Sequence, residues 1–184
     1  MGNMKKGQDT RDLLQTHARR LFWSKGYSNV SVREVAKAAG VDVALIARYF
    51  GSKLGLFEAT LDTLKKIDPD DFSSVDSLVN VFVEMFSNAP KEGTEASPIS
   101  MILLNANDSD VGAIVARIQY EYWQSGLEKI IGSKSQAALF FAAMMGFSVG
   151  QKILHLDGIA ELGSDEYRAQ FRHMLTTAIA SPDF

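Results

Sequence analysis

Cysteine is absent from all 184 residues. That excludes disulfides, thiolate nucleophiles and thiolate metal sites. Histidine is scarce: His17, His155 and His173 are scattered along the chain, without metal-ligand spacing or a nucleophile–base pattern. There is no glycine-rich phosphate loop. No apolar run approaches the ~20 residues of a membrane span. The opening MGNMKKGQ has no apolar segment of the secretory kind, and Lys6 breaks the myristoylation pattern that Gly2 begins. Alternating strand-like segments bounded by turn residues are missing too. These absences leave an all-α protein of the reducing cytoplasm, with no membrane anchor, cofactor, metal or catalytic set. Asp108 and Asp110, the closest approach to a carboxylate pair, read as capping at a helix start.

What the chain does have is charge asymmetry. The net charge is −3, yet residues 1–66 carry twelve Lys/Arg against six Asp/Glu, and the remainder seven against sixteen. A basic head on an acidic body is the pattern expected when one end meets phosphate and the other does not. Uneven surface charge without a partner is the plain alternative.

Within the basic head, SVREVAKAAGVDVALIARYFGSK (31–53) carries the most specific signal. Ser31 with Glu34 forms a capping box. Val32, Val35, Ala36 and Ala39 then recur at i, i+3, i+4, i+7, one apolar stripe. Gly40 ends that helix in the left-handed conformation glycine adopts without penalty. Asp42 caps a second helix over 43–50. Small Ala36 and Ala39 allow the two helices to cross closely. This is either a helix-turn-helix or an ordinary helical hairpin. Upstream, Leu13, Leu14, Ala18, Leu21 and Phe22 mark the inward face of a helix ended by Gly26. Downstream, Leu56, Phe57, Leu61 and Leu64 mark the buried side of a helix over 53–67.

Taken together, Ala18, Leu21, Phe22, Gly26, Tyr27, Ser31, Val32, Val35, Ala36, Ala39, Gly40, Val41, Ile46, Tyr49, Phe50, Ser52, Lys53 and Leu56 resemble the N-terminal domain of the TetR family of bacterial transcriptional regulators. The resemblance covers about the first third of the chain. Ala47 departs from the family's usual tyrosine, and Leu45 from its small residue. The resemblance implies a helix-turn-helix DNA-binding domain at 1–52 and a six-helix effector-binding and dimerisation domain at 53–184. On the recognition helix Ile46 and Phe50 are expected inward, leaving Val43, Ala44, Leu45, Ala47, Arg48 and Tyr49 toward DNA. Arg48 alone offers a fork for a guanine edge; Tyr49 suits a phosphate, and its apolar neighbours suit thymine methyls. Lys53, Ser31 and Arg33 at helix starts are expected on phosphates. Solvated surface arginines are the alternative for Arg33 and Arg48.

Beyond the head the periodicity predicts helices over 75–86, 99–105, 109–131, 135–156 and 165–180, with a polar loop over 88–98. Phe82, Met85, Phe86, Met101, Leu104, Tyr120, Trp123 and Met144 supply aromatic and methionine surface of the kind that lines adaptable sites. They lie where the resemblance implies an effector pocket. Asn105, Gln124 and Tyr120 are candidate polar anchors there, with His155 beside them. Core packing is the alternative for the apolar and aromatic residues, and an ordinary surface or satisfied group for the polar anchors. The helix over 135–156 has almost no polar face and must be covered on most sides. Its small-residue ridge Ala138, Ala142, Gly146, Gly150 admits close helix approach, either inside one subunit or between two. The resemblance implies the latter, with Phe171, Met174, Leu175 and Ala178 of the last helix completing a dimer face. The expectation is a ligand-responsive homodimeric regulator of double-stranded DNA, most simply a repressor, whose effector is an apolar or amphipathic small molecule. A helical dimeric ligand- or protein-interaction module that has lost DNA binding is the rival.

Overall fold

The computed structural model describes residues 2–89 and 97–180. Most of the polar loop expected over 88–98 therefore lies outside the described residues. Among them the fold is all-α. Nine helices run in order: α1 (Gly2–Lys25), α2 (Val32–Ala39), α3 (Ala44–Phe50), α4 (Lys53–Leu61), α5 (Val75–Ser87), α6 (Pro98–Asn105), α7 (112–131), α8 (Lys134–Lys152) and α9 (Asp165–Ala180). By contact the chain forms two compact units. One holds residues up to Lys65 and those from 97 to 117; the other holds 66–89 and those from Ile118 onward.

The first unit is built on α1. Leu14, Ala18, Leu21 and Phe22 are buried, as expected, but Leu13 is 41% exposed. The 3.6-residue period explains the correction, because 14, 18, 21 and 22 share one stripe and 13 falls at its margin. The rings of Phe22, Tyr27 and Phe57 meet with centroids 5.4–5.7 Å apart. Buried Trp23 donates its indole N–H to Thr60 at 3.1 Å, so its polar edge is satisfied. The α6 helix starts at Ser97, whose hydroxyl accepts the Ser100 N–H, with Pro98 in the first turn. It packs on α1 and ends in Asn105, which has no exposed surface. The Asn105 amide is fully used. Its oxygen accepts the Tyr27 N–H at 2.6 Å, and its nitrogen donates to the carbonyls of Phe22 and Met101 at 3.3 and 2.8 Å.

Several helix boundaries differ from expectation. The α4 helix ends at Leu61, six residues early. Leu64 N–H bonds the Leu61 carbonyl at 2.9 Å and the Thr63 hydroxyl bonds the Thr60 carbonyl at 2.9 Å, a local closure that competes with helix continuation. The α7 helix begins at Gly112 rather than 109, because the Asp108 carboxylate accepts the N–H groups of Asp110 and Val111 and holds the chain in a turn.

In the second unit α7 carries a π segment, Tyr120–Gln124, between its α-helical halves Gly112–Gln119 and Ser125–Ile131. Ile67 donates its N–H to the Tyr122 carbonyl at 2.7 Å, an extra partner of the kind a widened helical turn accommodates. The strand-like approach of Ile67 is possible because residue 126 is glycine; a Cβ there would sit 2.5 Å from the Ile67 carbonyl oxygen. Leu78, Val79, Phe82 and Phe86 of α5 are buried as the periodicity requires. Phe86, Phe147, Tyr167 and Phe171 form a ring cluster with centroids 4.9–6.2 Å apart. The α8 helix stops at Lys152, four residues early. There the chain turns back, with His155 at φ 47 and the Leu156 N–H bonded to the Gly150 carbonyl at 2.9 Å.

Two outcomes follow. Gly126→Ala should lower the stability of the protein by roughly 1–3 kcal/mol through overpacking against Ile67, read as a shift in the urea midpoint with the slope unchanged. Burial pushes the Tyr167 phenol from 10.0 up to about 12. The folded state therefore resists deprotonation, so its stability is complete below pH 10 and falls as pH rises from 10 to about 12. Tyr167→Phe should remove that part of the alkaline loss in equilibrium unfolding measured across the same window.

Candidate nucleic-acid interface

The short α2 and α3 helices are held by their caps. Ser31 accepts the Glu34 N–H at 3.1 Å. Gly40 adopts φ 65, which lets the Val41 N–H return to the Ala36 carbonyl at 3.0 Å and closes the helix end. The third helix begins at Ala44 with Val43 rather than Asp42 at its N-cap; Asp42 accepts the Ala44 N–H at 2.7 Å in the turn before it. Val35, Ala36, Ala39 and Ile46 are buried, so the two helices cross over alanine-sized contacts with Ile46 as the inward anchor of α3. Phe50 is half-buried.

That packing decides what α3 presents. Val43, Ala44, Ala47 and Arg48 are exposed, Leu45 and Tyr49 are half-exposed, and Ile46 is the buried residue of the helix. Ser31 and Arg33 are exposed at the start of α2. Ser52 caps α4 by accepting the Gly55 N–H at 3.0 Å, and Lys53 follows immediately. Gly55 is itself constrained, since a Cβ there would collide with the Phe50 carbonyl.

The cations of this surface share one feature. Lys53 Nζ lies 4.0 Å over the Tyr27 ring, Arg48 Cζ 5.9 Å over Tyr49, and Arg11 Cζ 5.2 Å over Phe50. Among the described residues none of these three, nor Arg33, lies within ion-pair distance of a carboxylate. A ring orients a cation without cancelling its charge. Lys25 shows the contrast: it pairs with Glu34 at 2.6 Å, and that hydrogen bond holds the Glu34 carboxyl below its ordinary range. Arg11 was not singled out in the sequence. Its signal is tertiary, because nothing in the 11–50 spacing announces the ring contact.

The remaining candidates fall into different surroundings. Phe82, Phe86 and Met144 are buried in the second unit, where Phe82 meets Phe140 at 5.6 Å and Phe86 meets Phe171 at 5.1 Å. Met85 and Tyr120 are exposed there. Gln124 accepts from Gln119 and donates to Glu128, both at 3.1 Å, and Trp123 is half-buried beside it. Met101, Leu104 and Asn105 belong to the first unit, so the ten ligand candidates do not converge within either unit. An open cleft of about 400 Å³ occurs elsewhere, lined by Gln151 and residues 155–162. On α8, Ala138, Ala142 and Gly146 are exposed. Gly150 is instead covered within the subunit by Ile159 and Leu156, whose side chains a Cβ would meet at 3.0–3.1 Å. Phe171 and Leu175 have no exposed surface, so they serve the subunit's own core. Met174 and Ala178 are half-exposed. Among the described residues no helix is long and apolar enough to cross a membrane, and no cluster of three metal-ligating side chains occurs.

Residues 16–60 match the family model described as bacterial regulatory proteins, tetR family. Over 49 residues the chain is 51% identical to the probable HTH-type transcriptional regulator YttP of Bacillus subtilis (strain 168), an alignment covering 27% of this chain and 24% of that protein. The crystal structure of NalD, the secondary repressor of the MexAB-OprM multidrug efflux pump in Pseudomonas aeruginosa, superposes with a TM-score of 0.69 at 16% identity, over 96% of each chain. A TetR transcriptional regulator from Chloroflexus aurantiacus J-10-FL gives 0.64 at 18% identity, over 96% of this chain and 95% of that one. At such identities the structural likeness speaks for the fold alone, and it agrees with the sequence match to the head. Over residues 16–60 the chain is thus similar to the N-terminal part of the bacterial regulatory proteins of the tetR family.

Proposed function

We propose that the protein is a sequence-specific transcriptional regulator of double-stranded DNA, of repressor type, and not an enzyme. One observation carries this reading: the exposed face of α3 lies beside capped helix starts bearing cations that no carboxylate neutralises. Recognition helices of this length read major-groove edges through three or four side chains, while flanking helix starts hold phosphates. Arg48 is the hydrogen-bonding reader; Val43, Ala44, Leu45 and Ala47 supply apolar contacts. Tyr49, Lys53, Ser31 and Arg33 hold the backbone.

The protein acts as a homodimer on a palindromic operator, because two heads about 34–36 Å apart reach successive major grooves. The uncovered side of α8, with Leu139 39% exposed beside Ala138, Ala142 and Gly146, supports a self-complementary helix contact. Residues 1–52 form the DNA-binding part, and 53–184 the effector and dimerisation part. An apolar or amphipathic small molecule regulates it by favouring one spacing of the two heads, which requires different affinities for the two spacings. It works in the cytoplasm.

A salt titration of affinity for duplex DNA tests the central claim. A regulator shows a steep negative dependence of log K on log salt, and Lys53→Ala should flatten it by about one unit. Arg48→Ala should relax discrimination at one guanine by about 1–3 kcal/mol. A flat titration would instead favour the helical interaction module. Independently, Ala142→Arg should convert the dimer to a folded monomer in sedimentation velocity, and weaken operator binding through loss of the second half-site.

A further inference from the structure

Lys53 does not stand alone on its helix. Its ammonium lies 4.0 Å over the Tyr27 ring, and Phe57, one turn along α4, meets the same ring edge-on at 5.4 Å. Where Tyr27 sits therefore decides where Lys53 sits. Tyr27 occupies the loop after α1, outside any helix, so intrahelical bonds do not place it. Its N–H is held instead by Asn105 Oδ1 at 2.6 Å, from a residue 78 positions away with no exposed surface. Asn105 in turn grips the end of α1 at the Phe22 carbonyl and its own helix at the Met101 carbonyl. A second clip acts on the next residue: the Ser28 hydroxyl donates to Asp108 at 2.6 Å. Desolvation opposes ionisation of Asp108, yet the Ser28 hydroxyl and the N–H groups of Asp110 and Val111 hold its carboxyl below the ordinary range.

We propose that Asn105 is a positioning residue for DNA binding: by fixing the Tyr27 backbone it holds the ring that seats Lys53. The 105–108 turn then sets a phosphate contact from the far side of the head, through a buried amide and an aromatic face. Ser28–Asp108 steadies the same loop. Displacement of this turn unseats Lys53 without altering any residue that touches DNA. The inference rests on the reading of Lys53 as a phosphate contact. It assigns Asn105 to the head's interior rather than to an effector pocket.

The test is a double-mutant cycle on the full chain, with a mixed-sequence DNA duplex of fixed length as probe and helicity checked by circular dichroism. Asn105→Ser should weaken binding about fivefold and flatten the salt dependence by about one unit, as Lys53→Ala does. In the Lys53→Ala background, Asn105→Ser should add nothing further, the signature of two residues acting as one unit. If the two effects multiply, or Asn105→Ser leaves affinity and slope unchanged, the proposal is overturned. Should Asn105→Ser fail to fold, Ser28→Ala, which removes only an exposed hydroxyl, takes its place in the cycle. A smaller loss that vanishes without Lys53 then supports the proposal, and no loss or a multiplying one overturns it. Wild-type protein with no salt-dependent binding would instead sink the DNA-binding reading, a result distinct from failure of the cycle.

Discussion

Phe22, Tyr27 and Phe57 come from α1, from the loop behind it and from α4, and their three rings close a triangle with every centroid pair under 6 Å. Each is buried, and burial of one such ring stabilises a fold by about 1.5–3 kcal/mol. The triangle does more than add area. It joins the last turn of α1 to the middle of α4, so the helix-turn-helix between them has fixed anchors on both sides. Helices of seven or eight residues are marginal on their own in water. Here their geometry is supplied by the anchors, the alanine-lined crossing, the caps at Ser31 and Gly40, and the Asp42 turn before α3.

Aromatic rings also shape the electrostatics of the head. A basic surface can be organised by carboxylates, which order the cations but neutralise them, or by aromatic faces, which order them and leave the charge intact. Lys25 with Glu34 follows the first course; Arg11, Arg48 and Lys53 follow the second. Counterion release on binding a polyanion scales with the charge that remains available.

In the second unit the dominant feature is close approach of backbone. Gly126 admits Ile67 to the π segment of α7, and Gly150 admits the returning chain after α8. At Gly126 the helix stability that alanine would bring is exchanged for a backbone contact that a methyl group would forbid, whereas the close neighbours at Gly150 are the side-chain ends of Leu156 and Ile159. The return after Lys152 also covers one end of the small-residue ridge and leaves Ala138, Ala142 and Gly146 open. An exposed run of small residues flanked by Leu139 is a surface on which another helix can lie closely.

The helix-turn-helix was legible in the sequence almost residue by residue, because its signals are local: a capping box, a left-handed glycine, a 3.6-residue stripe. The outward set on α3 followed from the same period. Local patterning failed where distant groups decide. The α4 helix has no glycine or proline near Leu61, and its end depends on Thr63 and Leu64 closing the turn. Asn105 looked like a polar anchor on an apolar helix, and only tertiary packing shows its amide spent on Tyr27, Phe22 and Met101. Gly150 read as one more step of a ridge until Leu156 folded back upon it. The sequence by itself determined which segments are helices and which face of the recognition helix is free, since both are set within a turn or two of chain. Tertiary structure alone decided which rings carry the cations and which polar groups are consumed inside, since those depend on residues that meet only after tens of positions of chain have closed.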